Sequence, residues 1–163
     1  MITFHYPDKR HKDALLPALF KILHENMRSI APSGLPFEEE QASWLAAVSP
    51  ALEKEPRKIL LCLVDGQLAG FLQYYIRDDL LMIEELQLAR EYQATMLFCG
   101  FCRYFLRNLP AEVRYIEAYA DSRNLRSRKL MRRLGMEQVD DSTDSSFLHF
   151  RGRMADLLPV FRK

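Results

Sequence analysis

Apolar residues recur along this chain with two periods, and the places where the period changes mark out its elements. A short run, ITFHY (2–6), reads as a first strand. In KDALLPALFKILHENMRSI (12–30), Leu15, Leu19, Ile22 and Met27 fall at helical spacing. Pro17 is compatible with that helix if it lies in the first turn, where the missing N–H has no partner to lose. APSGLP (31–36) is a loop. PFEEEQASWLAAV (36–48) places Pro36 at a helix start and acidic residues in the first turn, where the helix dipole favours them. Pro50 and Pro56 are expected to close this helical region.

The period then shortens. Residues 57–89, RKILLCLVDGQLAGFLQYYIRDDLLMIEELQLA, hold three apolar runs split by DGQ and RDD, and read as a β-meander. Asp65-Gly66 is a strong hairpin signal. A helix over about 95–108 would put Phe98, Phe101, Cys102, Phe105, Leu106 and Leu109 on one face. EVRYIEAYA (112–120) is a further strand. SRNLRSRKLMRRLG (122–135) is a helix with Ser127, Leu130, Met131 and Leu134 inward and Gly135 as C-cap. FLHFRGRM (147–154) closes the chain as a strand. The order β-α-α-β-β-β-α-β-α-β-β describes a mixed sheet with helices on its faces.

Composition adds limits rather than a partner. The 163 residues fit one domain, spanning 1–163, with a core of useful size. A formal net charge of +1 exerts no overall pull toward nucleic acid or anionic membrane. No apolar run approaches the roughly 20 residues of a membrane span. The start, MITFHYPDKRHKD, lacks the apolar centre of a signal peptide. A cytoplasmic protein is expected, with neither membrane nor nucleic acid as partner. Three cysteines, an odd number, argue against a disulfide framework.

Two of those cysteines, Cys99 and Cys102, form a C-x-x-C in ATMLFCGFCRYF (94–105). A redox dithiol would stand at a helix N-terminus after an early βαβ unit. Here two helices and a meander come first. Zinc would need two further ligands, and Cys62, His5, His11, His24 and His149 show no ligand spacing. On a helix the two thiols are neighbours one turn apart, and free cysteine is commonly buried. A packing role is expected, and no metal site.

The same segment has a second reading. A loop feeding a helix N-terminus offers unpaired N–H groups and a positive dipole end, suited to a pyrophosphate. IEELQLAREYQ (83–93) leads straight into it. Further on, NLRSRKLMRRLGM (124–136) has the spacing N-x-x-S-x-x-L-x-x-x-L-G-x. In these features, and in element order along nearly the whole chain, the sequence resembles the GNAT superfamily of N-acetyltransferases. The resemblance implies an α/β (α+β) fold with a mixed, mostly antiparallel sheet of about six or seven strands and about four flanking helices. It implies acetyl-CoA as co-substrate, held by backbone at Leu86, Gln87 and Leu88, by the loop Gln93, Ala94, Thr95, Met96, Leu97 and Phe98, and by Asn124.

The family's loop pattern is Q/R-x-x-G-x-G/A. Gln93 matches its first position, while Met96 and Phe98 stand at the two small-residue positions. Glycine serves such loops by letting backbone approach phosphate without a Cβ. Thr95 suits an N-cap, with or without a ligand.

Amine acetylation requires a neutral amine, a polarised thioester carbonyl and a proton for the departing thiolate. Glu84 and Glu85 alternate along a strand, so at most one faces a cleft. The resemblance selects Glu85 as general base, acting through water; a structural carboxylate is the alternative. Backbone N–H groups of Leu86 to Leu88 would polarise the carbonyl. The family's Tyr acid falls at Met131, which has no proton to give; Tyr92, Tyr119 or solvent could replace it. Arg123, Arg126, Arg128, Lys129, Arg132 and Arg133 fit a solvated helix face, CoA phosphates or an RNA backbone, and no RNA-binding signature accompanies them. The acids of FEEEQ could favour a cationic acceptor, or simply follow the dipole. Trp44 reads as core.

Two functions follow. One is acetyl transfer from acetyl-CoA to a small-molecule or peptide amine by direct attack. The other is a non-catalytic GNAT-fold binding or regulatory protein that has lost normal CoA binding, motivated by Met96, Phe98 and Met131. A dithiol oxidoreductase rests on Cys99 and Cys102 alone. Family members are often dimers, which leaves a homodimer open.

Overall fold

The structure is a computed structural model and describes residues 1–54, 56–93, 95–139 and 146–161. The elements are β1 (Ile2–His5), α1 (Lys12–Met27), α2 (Phe37–Lys54), β2 (Lys58–Val64), β3 (Gln67–Arg77), β4 (Leu80–Leu88), α3 (Leu97–Arg107), β5 (Tyr115–Asp121), α4 (Leu125–Arg133), β6 (Glu137–Val139), β7 (Phe147–Arg153) and a one-turn α5 (Met154–Leu157). The order matches the sequence expectation, with α5 added. The seven strands form one sheet in the order β1-β2-β3-β4-β5-β7-β6. β1 pairs antiparallel with β2, β5 with β7 and β6 with β7, whereas β4 and β5 are parallel. This is the mixed, mostly antiparallel sheet expected.

The chain divides into two compact units, one of residues 1–73 and 85–98, the other of 74–84 and 99–163. β3, β4 and α3 therefore contribute residues to both.

In the first unit, Leu16, Leu19 and Ile22 of α1 and Val48 and Leu52 of α2 pack with Ile59, Leu61 and Phe71 of the sheet. Trp44 lies against this core, its ring centroid 5.6 Å from that of Phe20. The β2–β3 hairpin turns at Asp65 and Gly66, whose φ angles of 50° and 80° are the paired positive values of a type I′ turn. Gly70 of β3 passes tightly under β4: a Cβ there would meet the Leu88 side chain and lie 2.5 Å from the Gln87 carbonyl oxygen.

Both prolines run against expectation. α1 begins at Lys12, so Pro17 falls in its second turn, and α2 continues through Pro50 to Lys54. Proline costs a helix one hydrogen bond and crowds the preceding turn. Here the residues on either side are core: Leu16 and Leu19 around Pro17, Val48 and Leu52 around Pro50. Tertiary burial outweighs local propensity.

In the second unit, the Tyr74 and Phe105 rings meet edge to face at 4.7 Å, and Arg103 Nε donates to the Phe161 carbonyl at 2.9 Å. α4 ends in a complete Schellman motif. Gly135, at φ 79°, donates to Arg132, and Met136 donates to Met131. On α4, Ser127, Leu130, Met131 and Leu134 are half-buried, as expected from their spacing.

Candidate active site

The β4–β5 ladder joins Leu80–Ile83 to Tyr115–Ala118, and β4 then runs on to Leu88. Glu85 and Gln87 stand on this further stretch, on one face because they are two residues apart. Gln87 Nε2 donates to Glu85 Oε2 at 3.0 Å. Asn26, in the last turn of α1, donates from Nδ2 to Gln87 Oε1 and to the Leu88 carbonyl, both at 2.9 Å. Gln93 Nε2 donates to Asn26 Oδ1 at 2.7 Å and to the Leu88 carbonyl at 3.1 Å. The half-buried carboxylate chosen from sequence is thus joined to a chain of amides within the first unit. Glu84, by alternation, belongs to the opposite face.

The loop expected to hold pyrophosphate is arranged as follows. Gln93 turns back onto β4 rather than outward. Ala94 lies outside the described residues. Thr95 Oγ1 donates to the Tyr92 carbonyl at 2.7 Å and accepts from the Leu97 N–H at 3.2 Å, capping α3. Met96 is 77% exposed, Leu97 is buried and Phe98 is half-buried. In the second unit, Asn124 caps α4, its side chain accepting from the Ser127 N–H at 3.1 Å.

The basic run is largely engaged. Arg123 donates to both Asp121 oxygens at 2.9 Å, and this guanidinium holds the buried Asp121 carboxyl below the usual carboxylate range. Arg128 donates to the Ser122 carbonyl at 2.9 Å, and Arg132 lies over the Phe150 ring. Tyr119 stacks on His149 at 4.5 Å, and His149 Nε2 is 3.1 Å from Glu117. Met131 is half-buried.

The cysteines are free thiols. Burial pushes Cys62 up to about 11 and Cys102 to about 12, the reverse of the depressed value that a redox dithiol needs. Packing explains them.

Of the acids that open α2, Glu40 is tied to α1: His24 Nδ1 lies 2.6 Å from Glu40 Oε2. The Ser33 hydroxyl, then His24, hold the Glu40 carboxyl below its ordinary value. A separate cavity of about 260 Å³, over Leu15, Leu16, Leu52 and Ile59 with Lys12 and Arg57 at its rim, includes none of the residues expected at the site.

Asn26 escaped the sequence reading. The signal was present, since 26 continues the stripe 15, 19, 22 at helical spacing, a polar residue on a core line. The neighbouring Met27 drew the apolar assignment instead.

No protein-family model matches the chain, and no curated protein matches it. Solved structures do. The PaiA N-acetyltransferase of Thermoplasma acidophilum, in complex with coenzyme A, aligns at 15% identity over 94% of this chain and 99% of its own, with a TM-score of 0.66. An acetyltransferase of Thermus thermophilus aligns at 14% identity over 94% and 97%, with a TM-score of 0.72. A GNAT-family acetyltransferase of Staphylococcus aureus aligns at 8% identity over 94% and 99%, with a TM-score of 0.68. This chain has the GNAT acetyltransferase fold.

Proposed function

We propose that the protein is an acyltransferase that moves an acetyl group from acetyl-CoA to an amine by direct attack. The observation that carries this is the placement of Glu85 on β4 beyond the β4–β5 ladder, with its carboxylate fixed by Gln87.

Acetyl-CoA would supply an activated thioester acyl group. Glu85 takes the proton that the amine loses, through a bridging water. Backbone N–H groups of Leu86 to Leu88 are the donors for the developing oxyanion. The start of α3 would hold a phosphate group through its backbone N–H groups, with Met96 and Phe98 standing where the family has small residues. Met96 is exposed and Phe98 half-buried, while Leu97 enters the core and Thr95 turns back to Tyr92. Gln93 braces the loop against Leu88 and Asn26 rather than touching cofactor. The remaining N–H groups of the first turn of α3 are the donors for phosphate. Asn124, which caps α4 in the second unit, is assigned to the cofactor by family resemblance alone. The thiolate, whose conjugate acid is ordinarily near 8.5, takes its proton from solvent or a tyrosine.

The acceptor is a small-molecule or peptide amine. A second reading, a GNAT-fold binding or regulatory protein without turnover, is favoured by Met131 at the family's tyrosine position and by the exposed Met96. Calorimetric titration with acetyl-CoA, followed by an amine screen for thiol release, separates the two. Binding with amine-dependent release supports the transferase, and no detectable binding at millimolar acetyl-CoA supports the module that has lost normal CoA binding.

A further inference from the structure

We infer that Asn26 and Gln87 are positioning residues that hold Glu85 as a hydrogen-bond acceptor, and that the Leu88 carbonyl sets the direction of the whole chain. This rests on the reading of Glu85 as general base.

Donors and acceptors decide the direction. A backbone carbonyl only accepts. The Asn26 atom 2.9 Å from the Leu88 oxygen must therefore be its nitrogen. Gln93 fixes the same orientation from a second side, since its nitrogen meets the Leu88 carbonyl and Asn26 Oδ1 together. The second proton of Asn26 Nδ2 goes to Gln87 Oε1. With that oxygen committed, Gln87 can present only its nitrogen to Glu85. Flipping either Asn26 or Gln87 alone would set two donors or two acceptors face to face, and each amide would lose its partner.

An ionised carboxylate has only acceptor sites, whereas a carboxylic acid must place a proton. A donor fixed on Oε2 therefore favours the ionised, proton-accepting form. The fold dictates the state of Glu85 through three amides, beginning at a carbonyl that cannot change role.

Three charged neighbours have described positions. His24 of α1 pairs with Glu40 of α2, Arg90 Nη2 donates to the Glu25 carbonyl at 2.8 Å, and Glu84 faces the other side of β4.

The test is the Glu85 side-chain carboxyl titration, followed by carbon-13 NMR in the wild type, Asn26→Asp, Gln87→Met and the double variant. It needs no turnover, so it judges the relay even if no transferase activity is found. Asn26→Asp places an acceptor where a donor stood and turns Gln87 around. The Glu85 midpoint is expected to rise by about one pH unit. Gln87→Met, which removes the donor, should raise it as well. In the Gln87→Met background, Asn26→Asp should add less than half its single-variant shift, because only its charge remains. An unchanged midpoint in Gln87→Met overturns the relay. So does an Asn26→Asp shift of equal size with and without Gln87, which would be charge alone. If Asn26→Asp does not fold, the Gln87→Met midpoint decides by itself.

Discussion

Gly70 and Gln87 approach so closely that a methyl group on Gly70 would lie 2.5 Å from the Gln87 carbonyl oxygen. The residue that carries the donor to Glu85 is therefore seated on a strand that tolerates no side chain beneath it. Gly70→Ala should destabilise the protein by about 1–3 kcal/mol, as overpacking does in a tight interior. Gly100, inside α3 with open space around its Cα, offers the contrast. Gly100→Ala should stabilise by about 0.5–1 kcal/mol. Urea midpoints of the two variants check both signs.

Thr95 gives the start of α3 its cap. Thr95→Ala should cost about 1 kcal/mol, and Thr95→Ser should keep most of it. Thermal melts of the pair distinguish loss of the hydroxyl from loss of the methyl group.

Element order was legible because it depends on short-range signals. Asp65-Gly66 makes its hairpin with any partners, and Gly135 ends α4 through bonds confined to one turn. The two prolines mislead because their cost is local and its compensation, core packing around Val48 and Leu52, is not. Glu85 was singled out through family resemblance. Asn26 showed as a polar residue on the apolar stripe of α1, but its pairing with Gln87 did not show, since the two are 61 residues apart and a hydrogen bond of that range leaves no periodic trace.

Asp121 contributes to the acid limb of stability. Arg123 lowers its carboxyl from the ordinary 3.8. A depressed carboxylate contributes stability that is present above the ordinary value and is lost as pH falls through the lowered one. Stability should thus decline below about pH 4 with a slope that Asp121→Asn reduces. The check is a set of urea unfolding curves from pH 5 to pH 2. An unaltered slope in the variant would sink the assignment.

The thiols should behave as packing groups. With Cys62 raised to about 11 and Cys102 to about 12, both are protonated at pH 8. A thiol reagent at that pH should label them only after denaturant is added. The sign of the shift also means that stability is complete below the ordinary thiol value of 9.0 and falls as pH climbs through the raised values. Rapid labelling of native Cys102 would contradict this, and replacing both Cys99 and Cys102 with Ser should leave the background rate of insulin reduction unchanged.

The most direct test of the transferase reading is thiol release from acetyl-CoA across an amine panel, measured in parallel for wild type and Glu85→Gln. The expected result is amine-dependent release by the wild type and a fall of about 100-fold or more in kcat/KM for the variant, the range for loss of a general base. No binding of acetyl-CoA at millimolar concentration, or full activity in Glu85→Gln, would contradict it.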